Sequence, residues 1–180
     1  MSEVQETSAV IYMDSSALVK RYINETGSAW ICGLFDPGLR HEAFIAAITP
    51  VEIVAAIARR ARGKTIAQID AVTACAEFRA DLQTSYQVIE STDALLNNTM
   101  SLAETYALRG YDAVQLAAAL AVNALCAESD LPPLIFVSAD GELNAVAASM
   151  GLAIDNPNDH HVTEARVLAE SATAYAGEGE

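Results

Sequence analysis

VIYMDSSALVKRY, residues 10–22, opens as a short apolar run with β-branched and aromatic members. It passes without a linker through Asp14, Ser15 and Ser16 into residues spaced for a helix. An uninterrupted run such as AVIYM (9–13), bounded by polar residues, is the pattern of a strand buried on both faces. Ala17, Leu18, Arg21 and Tyr22 then recur at helical spacing. A strand that turns directly into a helix, with a carboxylate at the joint, predicts the first half of a parallel βαβ unit.

The pattern repeats along the chain. Ser28 is positioned to cap a short helix through Trp30, Ile31, Leu34 and Phe35. AFIAAI (43–48) reads as a second strand, and TPVEIVAAIARRARGK (49–64) as a helix with Thr49 at the N-cap, Pro50 at the first helical position, Glu52 completing a capping box and Gly63 as the stop. A helix over 65–83 places Ile66, Ile69, Val72, Cys75, Ala76 and Leu82 on one side. YQVIE (86–90) alternates like a strand, and the next helix closes at Gly110. Asp112 opens an Ala/Leu helix that is apolar nearly all round and therefore buried. LIFVSAD (134–140) is a third strong strand, followed by a helix through ELNAVAASMG and a short LAID. Strands alternating with helices predict a three-layer α/β/α fold with a central parallel sheet, one domain over 9–157 and an acidic, partly helical or disordered tail over 158–180.

Composition bounds the function. The 180 residues are 52% hydrophobic, enough for one substantial core. Ten Lys and Arg against 24 Asp and Glu give a net charge of −14, which excludes a broad electropositive surface for duplex nucleic acid. A local basic strip remains at Arg59, Arg60, Arg62 and Lys64, although cations at a helix C-terminus also complement its dipole. No aromatic residue is visibly interleaved with it for base stacking. Cys32, Cys75 and Cys126 lie in Ala/Leu-rich settings without zinc spacing and read as small buried thiols. The N-terminus lacks the pattern of a secretory signal and no apolar run is long enough to span a bilayer, so a cytoplasmic protein without a membrane segment is expected.

Four acids stand at the starts of helices: Asp14, Glu52, Asp112 and Asp140. Each has a structural explanation as a cap or a dipole partner, worth about 1 kcal/mol. In a parallel sheet, however, helices that follow strands begin at the same edge, and ligands bind beyond the carboxyl ends of the strands where the strand order reverses. Two carboxylates about 4 Å apart repel by roughly 4 kcal/mol at an effective dielectric of 20, more than a cap supplies. Converging acids therefore call for a cation, and oxygen donors without His or Cys favour Mg²⁺ or Mn²⁺ over zinc. His41 lies in a loop and His160 and His161 are adjacent in the tail, outside metal-ligand spacings. Such an ion suits phosphate chemistry. A dehalogenase-like phosphotransferase would need an Asp two positions after Asp14, where Ser16 stands, and a receiver domain a Lys at a late strand end, where there is none.

The chain resembles PIN-domain proteins, particularly the VapC-type ribonuclease toxins of type II toxin–antitoxin pairs. The resemblance rests on YMDSSALVKRYINETGS (12–28), ITPVEIVAAIARR (48–60), LRGYDAVQLAAALA (108–121) and VSADGELNAVAASMGL (137–152), in that family's order. It implies that Asp14, Asp112 and Asp140 bind the metal with Glu52 as the acidic residue of the third helix, and that all four serve Mg²⁺- or Mn²⁺-dependent cleavage of RNA by an activated water. It also implies a homodimer and a small antitoxin lying over the acidic groove. Gln115 stands where relatives often carry His in a DALHLA run. The alternatives are a stand-alone PIN nuclease in RNA processing and a non-catalytic PIN-like binding module whose acids survive as caps.

Overall fold

The computed structural model describes residues 8–160. Five strands, β1 (Val10–Met13), β2 (Glu42–Ala46), β3 (Gln87–Ile89), β4 (Ile135–Val137) and β5 (Ala153–Asp155), form one sheet in the order β3-β2-β1-β4-β5. Every pairing is parallel, as expected. Seven helices connect them: α1 (Ser15–Leu18), α2 (Ser28–Gly33), α3 (Thr49–Arg62), α4 (Gln68–Asp81), α5 (Asp93–Tyr106), α6 (Gly110–Glu128) and α7 (Gly141–Ser149). A 3₁₀ turn at Val19–Arg21 extends α1 and another, Pro157–Asp159, follows β5. The chain steps outward from β1 to β2 and β3, then crosses back through α5 and α6 to β4 on the other side of β1. The order therefore reverses between β1 and β4.

The two-residue period of β1 divides the core. Val10 and Tyr12 face one apolar layer with Leu95, Leu116, Phe136 and Leu143, under α5, α6 and α7. Ile11 and Met13 face the other with Ile31, Ile45, Ile53, Ile57 and Phe78, under α1 to α4. Burying both faces explains why β1 reads as an unbroken apolar run. By length and composition α6 is apolar enough to cross a bilayer, contrary to the expectation from apolar runs. Its Ala113, Leu116, Ala117, Ala118 and Val122 instead form the floor of the first layer.

Other expectations change for local reasons. The helix over 65–83 shortens to Gln68–Asp81 and turns a different face inward: Ala71, Ala74 and Phe78 are buried, whereas Ile69 and Val72 are 70% and 55% exposed. Alanines carry this contact, so the larger β-branched residues mislead the periodicity. α5 ends at Ala107, which adopts the left-handed conformation (φ 53°), and Gly110 begins α6 instead of closing α5. Ser28 is the first residue of α2 rather than its cap; its hydroxyl accepts from the Glu25 N–H at 2.8 Å and donates to the Ile23 carbonyl. Cys126 is buried, but Cys75 is half-buried and Cys32 exposed. His161 and the stretch 162–174 expected to be weakly helical lie outside the described residues.

Gly27 is the tightest point of the frame. Its φ is +85°, and a Cβ there would lie 2.1 Å from the Pro157 carbonyl oxygen. Gly27→Ala should therefore destabilise the fold by about 1–3 kcal/mol, the scale of a forced left-handed residue, and displace the Pro157 turn. Urea unfolding measures the loss; an unchanged midpoint would mean that the 24–28 loop is not anchored there.

Candidate active site at the switch point between β1 and β4

The site begins with the end of β1. Asp14 is 3% exposed, and its backbone N–H donates to the Val137 carbonyl at 3.0 Å, which continues the β1–β4 pairing by one residue. Its carboxylate Oδ2 accepts from the Ser16 N–H at 3.2 Å, from the Ser16 hydroxyl and from the Ser138 hydroxyl at 3.0 Å. Asp14 is thus the N-cap of α1, as one structural reading of it requires. The serines also tie the two strand ends together: Ser16 Oγ accepts from the Ala139 N–H at 2.9 Å, and Ser138 Oγ from the Asp140 N–H at 3.1 Å. Asn144 supports the same turn by donating to the Ser138 carbonyl at 2.8 Å. Asp140 caps α7, its Oδ1 accepting from the N–H groups of Glu142 and Leu143 at 2.9 and 3.0 Å. In both aspartates the caps fall on one oxygen of the pair.

Glu52 departs from its expected structural role. Ile48, not Thr49, occupies the N-cap of α3, and no side chain caps that helix. The predicted capping box does not form because both of its members face Gln115. Gln115 Nε2 donates to Glu52 Oε2 at 2.6 Å and to Thr49 Oγ1 at 3.0 Å, while Gln115 Oε1 accepts from the Tyr12 hydroxyl at 2.7 Å. Gln115 is 1% exposed. A fully buried amide thus links β1, α3 and α6 and holds the Glu52 carboxylate toward the other acids.

The four acids influence one another electrostatically. Burial pushes the Asp14 carboxyl above its usual range, against the pull of Ser16 and Ser138. Burial does the same to Glu52, reinforced by the charges of Asp14 and Asp112 and opposed by the Gln115 hydrogen bond. Asp112, in the first turn of α6, is raised by burial and then by Asp140 and Asp14, with Arg109 pulling it down and Glu142 adding repulsion. Among the described residues no three His, Cys, Asp or Glu side chains form a ready-made metal cage. The donor set is nevertheless all-oxygen, and its mutual repulsion is of the kind that a hard divalent cation relieves, so the residues fit Mg²⁺ or Mn²⁺ in kind. His41 Nδ1 instead accepts from the Ala9 N–H, and His160 stacks on Trp30 at 3.9 Å and bonds Asp155, away from the acids.

A groove of about 610 Å³ runs alongside. Its lining includes Glu52 and Tyr111 together with Lys20, Glu25, Arg59 and Arg60. Of the expected basic strip only Arg59 and Arg60 reach it, and Glu25 pairs with both Arg60 (2.5 Å) and Lys20 (3.6 Å). Sequence reasoning passed over Tyr111, Arg109, Ser16 and Ser138. The last two act across about 120 residues of chain, which no local pattern encodes.

A five-stranded parallel sheet whose order reverses beside β1, with helices on both faces, defines a three-layer α/β/α protein. No protein-family model matches the chain. Ribonuclease VapC45 and Ribonuclease VapC49, from two strains of Mycobacterium tuberculosis, are each 33% identical over 114 residues, 63% of this chain and 77% of theirs. The chain belongs to the VapC family of PIN-domain proteins. Its fold is shared with the M. tuberculosis VapC20 toxin (TM-score 0.53, 15% identity, covering 79% of this chain and 96% of that one). It is also shared with a toxin–antitoxin complex from Klebsiella pneumoniae (TM-score 0.52, 15% identity, 83% and 98%).

Two outcomes follow from this geometry. Raised carboxyl pKa values mean that, without metal, the native state holds protons more tightly than the unfolded chain, so this part of its stability is present in acid and lost as pH rises through the folded pKa values. Asp112→Asn should then raise the melting temperature of metal-free protein at neutral pH, by about 2–4 °C for each 1 kcal/mol relieved, with the gain disappearing toward pH 4; a lower melting temperature at pH 7 would contradict the repulsion. Gln115→Leu should cost about 1–3 kcal/mol by stranding Tyr12, Thr49 and Glu52, and should raise the Glu52 pKa further, a shift that carboxyl NMR titration reads directly.

Proposed function

We propose that the protein is the ribonuclease toxin of a toxin–antitoxin pair, cleaving RNA phosphodiester bonds with Mg²⁺ or Mn²⁺ at Asp14, Asp112, Asp140 and Glu52. Membership of a family whose matched relatives are named ribonucleases supports the reaction. The observation that supports the site is the mutual charge repulsion that links Asp14, Glu52, Asp112 and Asp140, of which Glu52 and Asp112 cap no helix. Capping accounts for Asp14 and Asp140, whereas Glu52 and Asp112 lie in first helical turns without capping them, and their mutual repulsion is what disfavours a non-catalytic module.

The three aspartates and Glu52 would hold the ion, which when bound supplies a water acidified toward neutral pH and neutralises charge on phosphoryl oxygens. Ser16 and Ser138 fix the Asp14 carboxylate so that it needs no reorganisation on binding. Gln115 does the same for Glu52 by donating to its Oε2. The groove beside them gives the RNA strand a path toward the scissile phosphate. A cytoplasmic location, a homodimer and a small antitoxin covering the acidic groove belong to the same reading; the Klebsiella pneumoniae neighbour is described as a toxin–antitoxin complex.

The test is a calorimetric Mg²⁺ and Mn²⁺ titration of wild type, Asp14→Asn and Asp112→Asn, with cleavage of a mixed single-stranded RNA pool followed in parallel. Asp14→Asn retains a capping oxygen, so loss of metal binding and of cleavage in a variant that still folds is the expected result. A folded wild type that binds neither ion would overturn the reading.

A further inference from the structure

We infer that Tyr111 and Arg59 form a nucleotide subsite beside the acids, in which the Tyr111 ring stacks on a base next to the cleaved bond and Arg59 contacts a neighbouring phosphate. The inference rests on the ribonuclease reading above and names where its single-stranded substrate is held.

Tyr111 directly precedes Asp112 in the first turn of α6 and is 60% exposed. It lines the same groove as Glu52 and Ser15. Large aromatics elsewhere in the core are packed, as Tyr12 is against Phe136 and Tyr86 against Phe35 and Phe78. The same groove is also lined by Ile48, Val51 and Ala55, with Val51 62% exposed, so its lining is apolar enough to accept a base. A π face at an apolar groove mouth is the sequence-tolerant way to hold an unpaired base.

Charge assigns the second contact. Glu25 pairs with both Lys20 and Arg60, so two of the three cations in the groove share an ion-pair partner. Arg59 is exposed and forms no ion pair among the described residues. In a chain of net charge −14 an uncompensated guanidinium in the groove is a selective place for a phosphate. Aromatic ring, guanidinium and carboxylate site then match the base, phosphate and scissile phosphate of one short strand. A protein partner lying in the groove would also meet Tyr111, but it would not sense whether an RNA carries a base at a given position.

The test uses the full chain with single-stranded RNA from a mixed pool, its cleavage sites mapped on wild type and abasic riboses then placed at each position flanking the cut. Tyr111→Ala should raise KM by roughly 5- to 100-fold with kcat little changed, and Tyr111→Phe should restore it. In wild type one abasic position should cause the same loss, and in Tyr111→Ala that substitution should have no further effect. Affinity measured by fluorescence anisotropy with Ca²⁺ in place of Mg²⁺ should follow KM. Arg59→Gln should lower the slope of log affinity against log salt by about 0.7. Because Tyr111 is exposed, melting temperatures should stay level across the set. Equal KM in wild type and Tyr111→Ala, or abasic losses that persist unchanged in Tyr111→Ala, would overturn the subsite while leaving wild-type cleavage intact. A wild type that neither binds nor cleaves any RNA would instead remove the ribonuclease reading, and this inference with it.

Discussion

One carboxylate withdrawn from water, that of Asp14, sets the terms for its surroundings. At 3% exposure it lies at the end of the central strand, where its charged form is disfavoured unless hydrogen-bond donors or a cation compensate it. Ser16 supplies donors from the same chain segment and Ser138 another from the end of β4. Because Ser16 and Ser138 also accept N–H groups of Ala139 and Asp140, stabilising one buried acid fixes the spacing of the two strand ends that make the switch point. A group that costs stability as an ion thereby becomes the reference from which the rest of the site is positioned.

Glu52 is handled by a separate device. It hangs from α3 and is held by Gln115 of α6, whose carbonyl oxygen is in turn held by Tyr12 of β1. The amide can be donor and acceptor at once without changing its charge, so the connection through the core persists whether Glu52 is protonated or not. A His at this position would also reach two partners, but its own protonation would enter the balance of a site that already contains several raised carboxyl pKa values. The departure from DALHLA therefore keeps Glu52 tied through the core to Tyr12.

The legible parts of the sequence were those governed by short-range pattern. β1 and β4 are unbroken apolar runs because both faces are buried, and Asp14 and Asp140 mark their ends. Glu52 was visible as a residue but its local pattern pointed to a capping box, since the competing partner Gln115 lies 63 positions away. The inward face of α4 is not legible in its periodicity, because Ala71 and Ala74 bury small area there while Ile69 and Val72 remain in water. Tyr111 was hidden for another reason: a first-turn aromatic beside an apolar helix looks like core, and only the topology shows that this turn opens at the sheet edge.

Topology also resolves the apparent conflict between an acidic chain and an anionic substrate. A net charge of −14 repels RNA at long range, yet screening confines that repulsion to roughly 8 Å at physiological salt. Within that distance the local arrangement decides. Glu25 is shared by Lys20 and Arg60, which leaves Arg59 as the groove cation without an ion pair among the described residues. Few phosphate contacts mean weak non-specific binding to nucleic acid. On the proposed ribonuclease reading, recognition then depends on how an unpaired strand fits the groove, and the surplus of acidic residues favours selectivity over affinity.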